Sequence, residues 1–157
     1  MNDCLKHDLA LRLPRHGWAD PVIWLALGAG PAFWVLATGL GGLQPPVAGP
    51  PSAATVALAL VWYPVLEELL FRGLLQGRLL AWRWGRWRFG ISVANLVTAV
   101  AFAGLHVAVH PTPWAAAVLI PALVFGGLRE RTASVLPAMM VHAGYNASLL
   151  GAGWLAG

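Results

Sequence analysis

Charge is what this sequence has least of. Only 10% of its 157 residues are Asp, Glu, Lys or Arg, while 59% are hydrophobic; a soluble domain carries roughly a quarter charged residues. So little polar surface cannot cover a water-soluble core, which excludes the soluble globular classes and leaves an integral membrane protein. A mean hydropathy of +0.68 agrees. Cysteine is nearly missing too. Cys4 is the only one, so no intrachain disulfide can form, and it lies outside the apolar runs. No internal repeat is visible. Ser92, Ser134 and Ser148 have no nucleophile motif around them.

What is present is a series of apolar runs. They predict an all-α membrane bundle of about five transmembrane helices. The spans are expected at about Asp20 to Leu40, Ala53 to Gln76, Gly90 to Val109, Trp114 to Leu128 and Ala133 to Trp154. Residues 1–19 form a polar cytoplasmic lead, and 20–157 a single membrane-embedded domain. The first run is longer than a signal-peptide core and is followed by four more, so it reads as a retained helix. Gly28, Gly30 and Pro31 predict a kink within it. The spacing of Gly73 and Gly77 predicts a close helix–helix approach.

The net charge of +4 suggests nucleic acid only until its placement is considered. Lys6, Arg12 and Arg15 precede the first run; Arg78, Arg83, Arg86 and Arg88 follow the second; Arg129 and Arg131 follow the fourth. The alternate connections, Gly42 to Ala53 and His110 to Pro113, carry no Lys or Arg. That alternation puts the N-terminus in the cytoplasm and the C-terminus outside. Trp82, Trp84 and Trp87 interleave with arginines, a pattern that suits a headgroup layer, with Trp anchored and Arg snorkelling. No nucleic-acid partner is needed.

The tenth basic residue is Arg72, and it has acidic company. Glu67, Glu68 and Arg72 are the only charged residues inside the apolar spans. A charge at a helix centre costs about 2.5–3.5 kcal/mol on insertion scales, so such residues are functional by default. Other polar groups stand in later spans: His106, four residues after Phe102, and His142, four residues before Asn146. Each pair shares a helical face. Lipid would tolerate none of them, so all must converge inside the bundle. A carboxylate, two imidazoles and a carboxamide can activate water and stabilise an oxyanion.

Other readings of the same residues remain open. The acidic trio can be a structural ion-pair cluster. The histidines and Asn146 can merely hydrogen-bond between helices. His106 and His110 have the spacing of a zinc pair, with Glu67 as a third ligand, although His110 precedes Pro111, where helical geometry is disfavoured. A non-catalytic immunity or partner-binding protein and a proton-coupled transporter are the alternative classes. Helix geometry adds a conflict. From the flanking arginines, Glu67 and His142 lie roughly 16 Å deep but His106 roughly 27 Å. Placing residues 89–94 along the interface and starting the third span near Asn95 removes it.

Together, Glu67-Glu68-x-x-x-Arg72, Phe102-x-x-x-His106 and His142-x-x-x-Asn146 resemble the three motifs of the CPBP intramembrane proteases, which include the type II CAAX prenyl proteases. The resemblance covers about residues 60–150. Less specifically, the chain resembles a compact bacterial branch linked to C-terminal sorting tags of the JDVT-CTERM kind. The resemblance implies a glutamate-type intramembrane endopeptidase in a bacterial inner membrane, with no cofactor and no metal. Its substrate would be a membrane-associated protein or peptide. Glu67 and His106 would activate water, and His142 and Asn146 would stabilise the oxyanion. Glu68, Arg72 and Phe102 would shape the site. Many family members have six to eight spans, so this chain keeps little beyond the core.

Overall fold

Asp20 starts the first helix. Its side chain accepts a hydrogen bond from the Val22 amide at 3.0 Å, and Pro21 sets the first helical φ. In the computed structural model, which describes residues 9–40, 44–46, 49–109 and 113–157, six helices follow one another: α1 (Pro21–Gly39), α2 (Ala53–Ala81), α3 (Val93–Val109), α4 (Pro113–Ala117), α5 (Leu119–Thr132) and α6 (Leu136–Ala156). Between α2 and α3 lies a hairpin of two-residue strands, β1 (Arg88–Phe89) and β2 (Ile91–Ser92), the only strands among the described residues. Cys4, Lys6, His110 and Pro111 lie outside the described residues. By length and composition, α1 and α2 can cross a membrane, and α3 is a shorter apolar helix.

Three elements depart from the sequence expectations. The third helix begins at Val93, not Gly90, because residues 88–92 turn back on themselves in the hairpin, with Gly90 at φ +80°. The fourth run is not one helix. It breaks at Val118, where Pro121 lacks an amide hydrogen and its ring would clash with the Ala117 carbonyl; beyond the break, α5 continues to Thr132. At Gly73 the nearest neighbour is not another helix. A Cβ added there would lie 3.1 Å from the Leu9 carbonyl, so its small size admits the N-terminal lead. Close crossings occur elsewhere, with Gly30 against Tyr145 where α1 meets α6 and Gly126 against Asn95 where α5 meets α3.

Helix α5 is the centre of the packing. Phe125 and Leu128 join Ile23 of α1 and Ala138 and Val141 of α6 in one apolar cluster. Ala122 joins Phe71 of α2 and Ala99 and Phe102 of α3 in another. The outer faces expose large apolar side chains, among them Leu25, Val35, Ile120 and Trp154, as a lipid-facing perimeter requires.

The lead is docked rather than free from residue 9 onward. Ala133 ends α5 in the left-handed region at φ 55°, where glycine is usual, and Ala10 takes a similar conformation. The two turns hold each other. The Arg12 Nε donates to the Ala133 carbonyl at 2.6 Å, the Arg15 amide to the Thr132 carbonyl at 2.8 Å, and the Val135 amide to the Ala10 carbonyl at 3.2 Å.

Asp20 adds an ion pair to this end of the bundle. Its Oδ2 accepts from the Arg131 Nε at 2.7 Å. That hydrogen bond, and then the one from Val22, hold its carboxyl below its usual value of 3.8. A carboxyl lowered by folding stabilises the protein fully above its unfolded value and loses that contribution as pH falls through the folded one. The melting temperature of detergent-solubilised protein should therefore drop more steeply below pH 3.8 than that of Asp20→Asn. Parallel melting curves in acid would refute this role for Asp20.

Candidate active site in the helix bundle

The site begins with how α2 is wound. Two stretches, Leu58–Trp62 and Leu69–Leu75, take wide π-type turns, and the α-helical turn between them carries both carboxylates. Pro64 explains the first. It has no amide hydrogen, and the Tyr63 amide bonds back to the Leu58 carbonyl, so the Ala59 carbonyl is left without its usual donor from within the helix. Asn146 of α6 supplies one: its Nδ2 donates to the Ala59 carbonyl at 2.8 Å.

Glu67 and Glu68 are adjacent in sequence but differently housed. Glu68 is completely buried. Its Oε1 accepts from the Arg72 Nη1 at 3.0 Å and from the His142 Nδ1 at 2.9 Å. Glu67 sits at the rim, with its side chain 26% exposed and its Oε2 3.7 Å from the His142 Nε2. One imidazole thus spans both carboxylates. Its Nδ1 proton serves Glu68, and its other nitrogen faces Glu67.

Arg72 is wholly buried as well. Its Nη2 donates to the Ala122 carbonyl at 3.0 Å. Its guanidinium lies 4.6 Å from the Phe102 ring centroid, 5.3 Å from that of Phe125 and 6.0 Å from that of Phe71. Aromatic faces suit a desolvated guanidinium. The ring of Phe125 also stacks on His142 at 4.8 Å and 17°.

His106 donates its Nδ1 proton to the Phe102 carbonyl at 3.0 Å, because a carbonyl can only accept. Its ring lies 4.4 Å from that of Phe102. This arrangement leaves Nε2 free of that bond. The Phe102 ring also meets that of His142, at 6.0 Å between centroids, and so links His106 to the imidazole that faces Glu67. The structure therefore gathers Glu67, Glu68, Arg72, Phe102, His106 and His142 around one point. Asn146 belongs to the same helix face as His142, but its donor is committed to Ala59.

No sequence pattern marks Phe125, Phe71 or the Ala122 carbonyl as part of this constellation. Nothing distinguishes an aromatic that cages a cation from one that fills a core until the helices are in place. Gln76 could have been found, because it follows Arg72 by four residues on the same face. Among the described residues, no three His, Cys, Asp or Glu side chains are grouped to hold a metal ion. His110, the remaining member of the zinc alternative, lies outside them.

A family model described as type II CAAX prenyl endopeptidase Rce1-like matches residues 49–148, a stretch that contains every residue of this constellation. The chain belongs to the Rce1-like family. No curated protein and no solved structure matches it. Rce1-like proteins are membrane-embedded proteases. The apolar perimeter and the lengths of α1 and α2, which suffice to cross a membrane, fit that family. Its CAAX-type proteolysis implies a protein substrate in the membrane.

The buried ion pair carries a stability prediction. Arg72→Met removes one partner of Glu68 and should destabilise the protein by about 3–5 kcal/mol. Adding Glu68→Gln to Arg72→Met should restore part of that loss, because no uncompensated charge then remains. Thermal melting of the two single variants and the double variant measures the coupling. Additive losses would show that the two side chains do not support each other.

Proposed function

We propose that this Rce1-like chain is a glutamate-type intramembrane endopeptidase that uses Glu67 as its base. It would hydrolyse a peptide bond of a membrane-associated protein without metal or other cofactor. The observation that carries this reading is the division of labour between neighbouring carboxylates. Glu68 is sealed and occupied by Arg72 and His142, whereas Glu67 is at the rim and faces an imidazole at 3.7 Å. A buried, paired carboxylate positions its neighbours; a rim carboxylate can take a proton from water.

In this mechanism Glu67 accepts a proton from the attacking water, with the His106 Nε2 helping to orient it. The water oxygen adds to the scissile carbonyl carbon, and the electron pair moves onto the carbonyl oxygen. The His142 Nε2, when protonated, donates to that oxyanion while Glu68 holds the other end of the ring. Asn146 joins only by trading its bond to Ala59 for one to the oxyanion. Collapse of the intermediate breaks the C–N bond, and the proton held by Glu67 passes to the leaving amine. Preorganised donors in a low-dielectric site suit such a charge.

The proposal includes the setting. In it, 20–157 is one membrane-embedded domain of five spans, as the apolar runs suggest, and the alternation of arginines supports a cytoplasmic N-terminus. A bacterial inner membrane is the compartment that goes with it.

Cleavage of a membrane-protein substrate in liposomes tests the reading. Glu67→Gln should reduce turnover by about 10²–10⁴-fold, the usual contribution of a general base, and His106→Ala should also impair it. Wild-type cleavage by Glu67→Gln would remove Glu67 from the mechanism. Full activity in chelator is expected; loss restored by added zinc would favour a metal-dependent route.

A further inference from the structure

Side-chain atoms that are buried without a hydrogen-bond partner among the described residues are concentrated in one place. Of six such atoms, five lie along the seam where α2, α3 and α5 meet: Glu68 Oε2, Arg72 Nε, Gln76 Oε1, Asn95 Oδ1 and Thr98 Oγ1. All five residues are at least nine-tenths buried. A buried polar group without a partner is costly, and a row of them at one helix interface calls for a common explanation.

Their order along the seam is fixed by contacts. Arg72 lies against Phe102 at the level of the site. One turn further along α2, the Gln76 Nε2 donates to the Gly126 carbonyl at 3.1 Å, and Asn95 abuts the same glycine. Gln76 and Asn95 therefore share a level. Thr98 belongs to the same buried face of α3 as Asn95 and Phe102, so it falls between the two levels. Beyond them, the Gln76 Nε2 also reaches Glu130 at 2.9 Å, Ser92 donates to the same Glu130 oxygen, and Arg88 holds the other at 2.8 Å. Arg88 is 64% exposed. A cavity of about 340 Å³, lined by Arg88, Ser92, Asn95 and Glu130 among others, opens at this end.

We infer that this seam is a water file that connects the intramembrane carboxylates to the aqueous surface at Arg88 and Glu130. Each unpartnered atom is a station for a water molecule, which needs two to four polar partners. The file would supply the water consumed at each turnover and carry protons between the site and bulk solvent. Its ligand is water, and its catalytic use rests on the endopeptidase reading. Thr98 and Asn95 are then positioning residues for water, not catalytic ones.

Thiol accessibility tests the file without reference to activity. In a Cys4→Ser background, Thr98→Cys, Asn95→Cys, Arg88→Cys, Val97→Cys and Ala99→Cys are each reconstituted and exposed to a membrane-impermeant methanethiosulfonate. Thr98→Cys and Asn95→Cys should react from the same side as Arg88→Cys. They should react at least about tenfold faster than lipid-facing Val97→Cys or core Ala99→Cys, because the reagent attacks only hydrated, ionisable thiols. If neither seam thiol outpaces Ala99→Cys, there is no water file. A second arm uses Thr98→Val, which should lower kcat with little change in KM. Labelled seam thiols together with an active Glu67→Gln would keep the file and reject Glu67 as the base. Unreactive seam thiols with an inactive Glu67→Gln would do the reverse.

Discussion

A carboxylate with no exposure to solvent, Glu68, is the constraint to which the rest of this bundle answers. Removing it from water is tolerable only with partners in place, and those partners come from different helices. Arg72 comes from its own helix and His142 from α6, while α5 contributes the Ala122 carbonyl and the Phe125 ring that hold those partners. One buried charge thereby fixes the relative depth and rotation of α2, α5 and α6. Apolar packing alone, with interchangeable Leu, Val and Ala surfaces, would specify that register far less sharply.

Such a pair is poor as a source of stability. Apolar replacements of buried ion pairs are often neutral or stabilising by about 1–4 kcal/mol. The Glu68–Arg72 pair is better understood through what it holds. It fixes His142 by one nitrogen and leaves the other toward Glu67, so the rim carboxylate acquires an oriented neighbour. The order of effects runs from burial of one acid to orientation of an imidazole, and from there to the chemistry available to the second acid.

Much of this was legible in the sequence because charge in an apolar run is conspicuous. Glu67, Glu68 and Arg72 declared themselves by expense, and His106, His142 and Asn146 by polarity at helical spacing. Pro64 announced nothing by comparison, yet with the wide turn before it, it decides what Asn146 does. A missing amide and an orphaned carbonyl are properties of a conformation, not of a residue type. The break at Val118 was implied by Pro121 but masked by the continuous apolar run. Phe125 was indistinguishable from any core aromatic, and the docking of Leu9 on Gly73 depends on contact across more than sixty residues. What stayed hidden depends on backbone geometry or long-range packing, and neither leaves a local pattern.

The wide turns of α2 have a consequence for how such chains can vary in length. A π-type turn closes a hydrogen bond over one residue more than an α-turn, so each is a place where the helix stores an additional residue. Because these turns lie on both sides of the Glu67–Glu68 pair, either flank can gain or lose a residue by winding or unwinding one turn. The carboxylates would keep their facing throughout. Alignments of related chains would then carry single-residue gaps beside the acidic pair rather than within it, and those gaps would mark a reservoir of helical slack, not a loop.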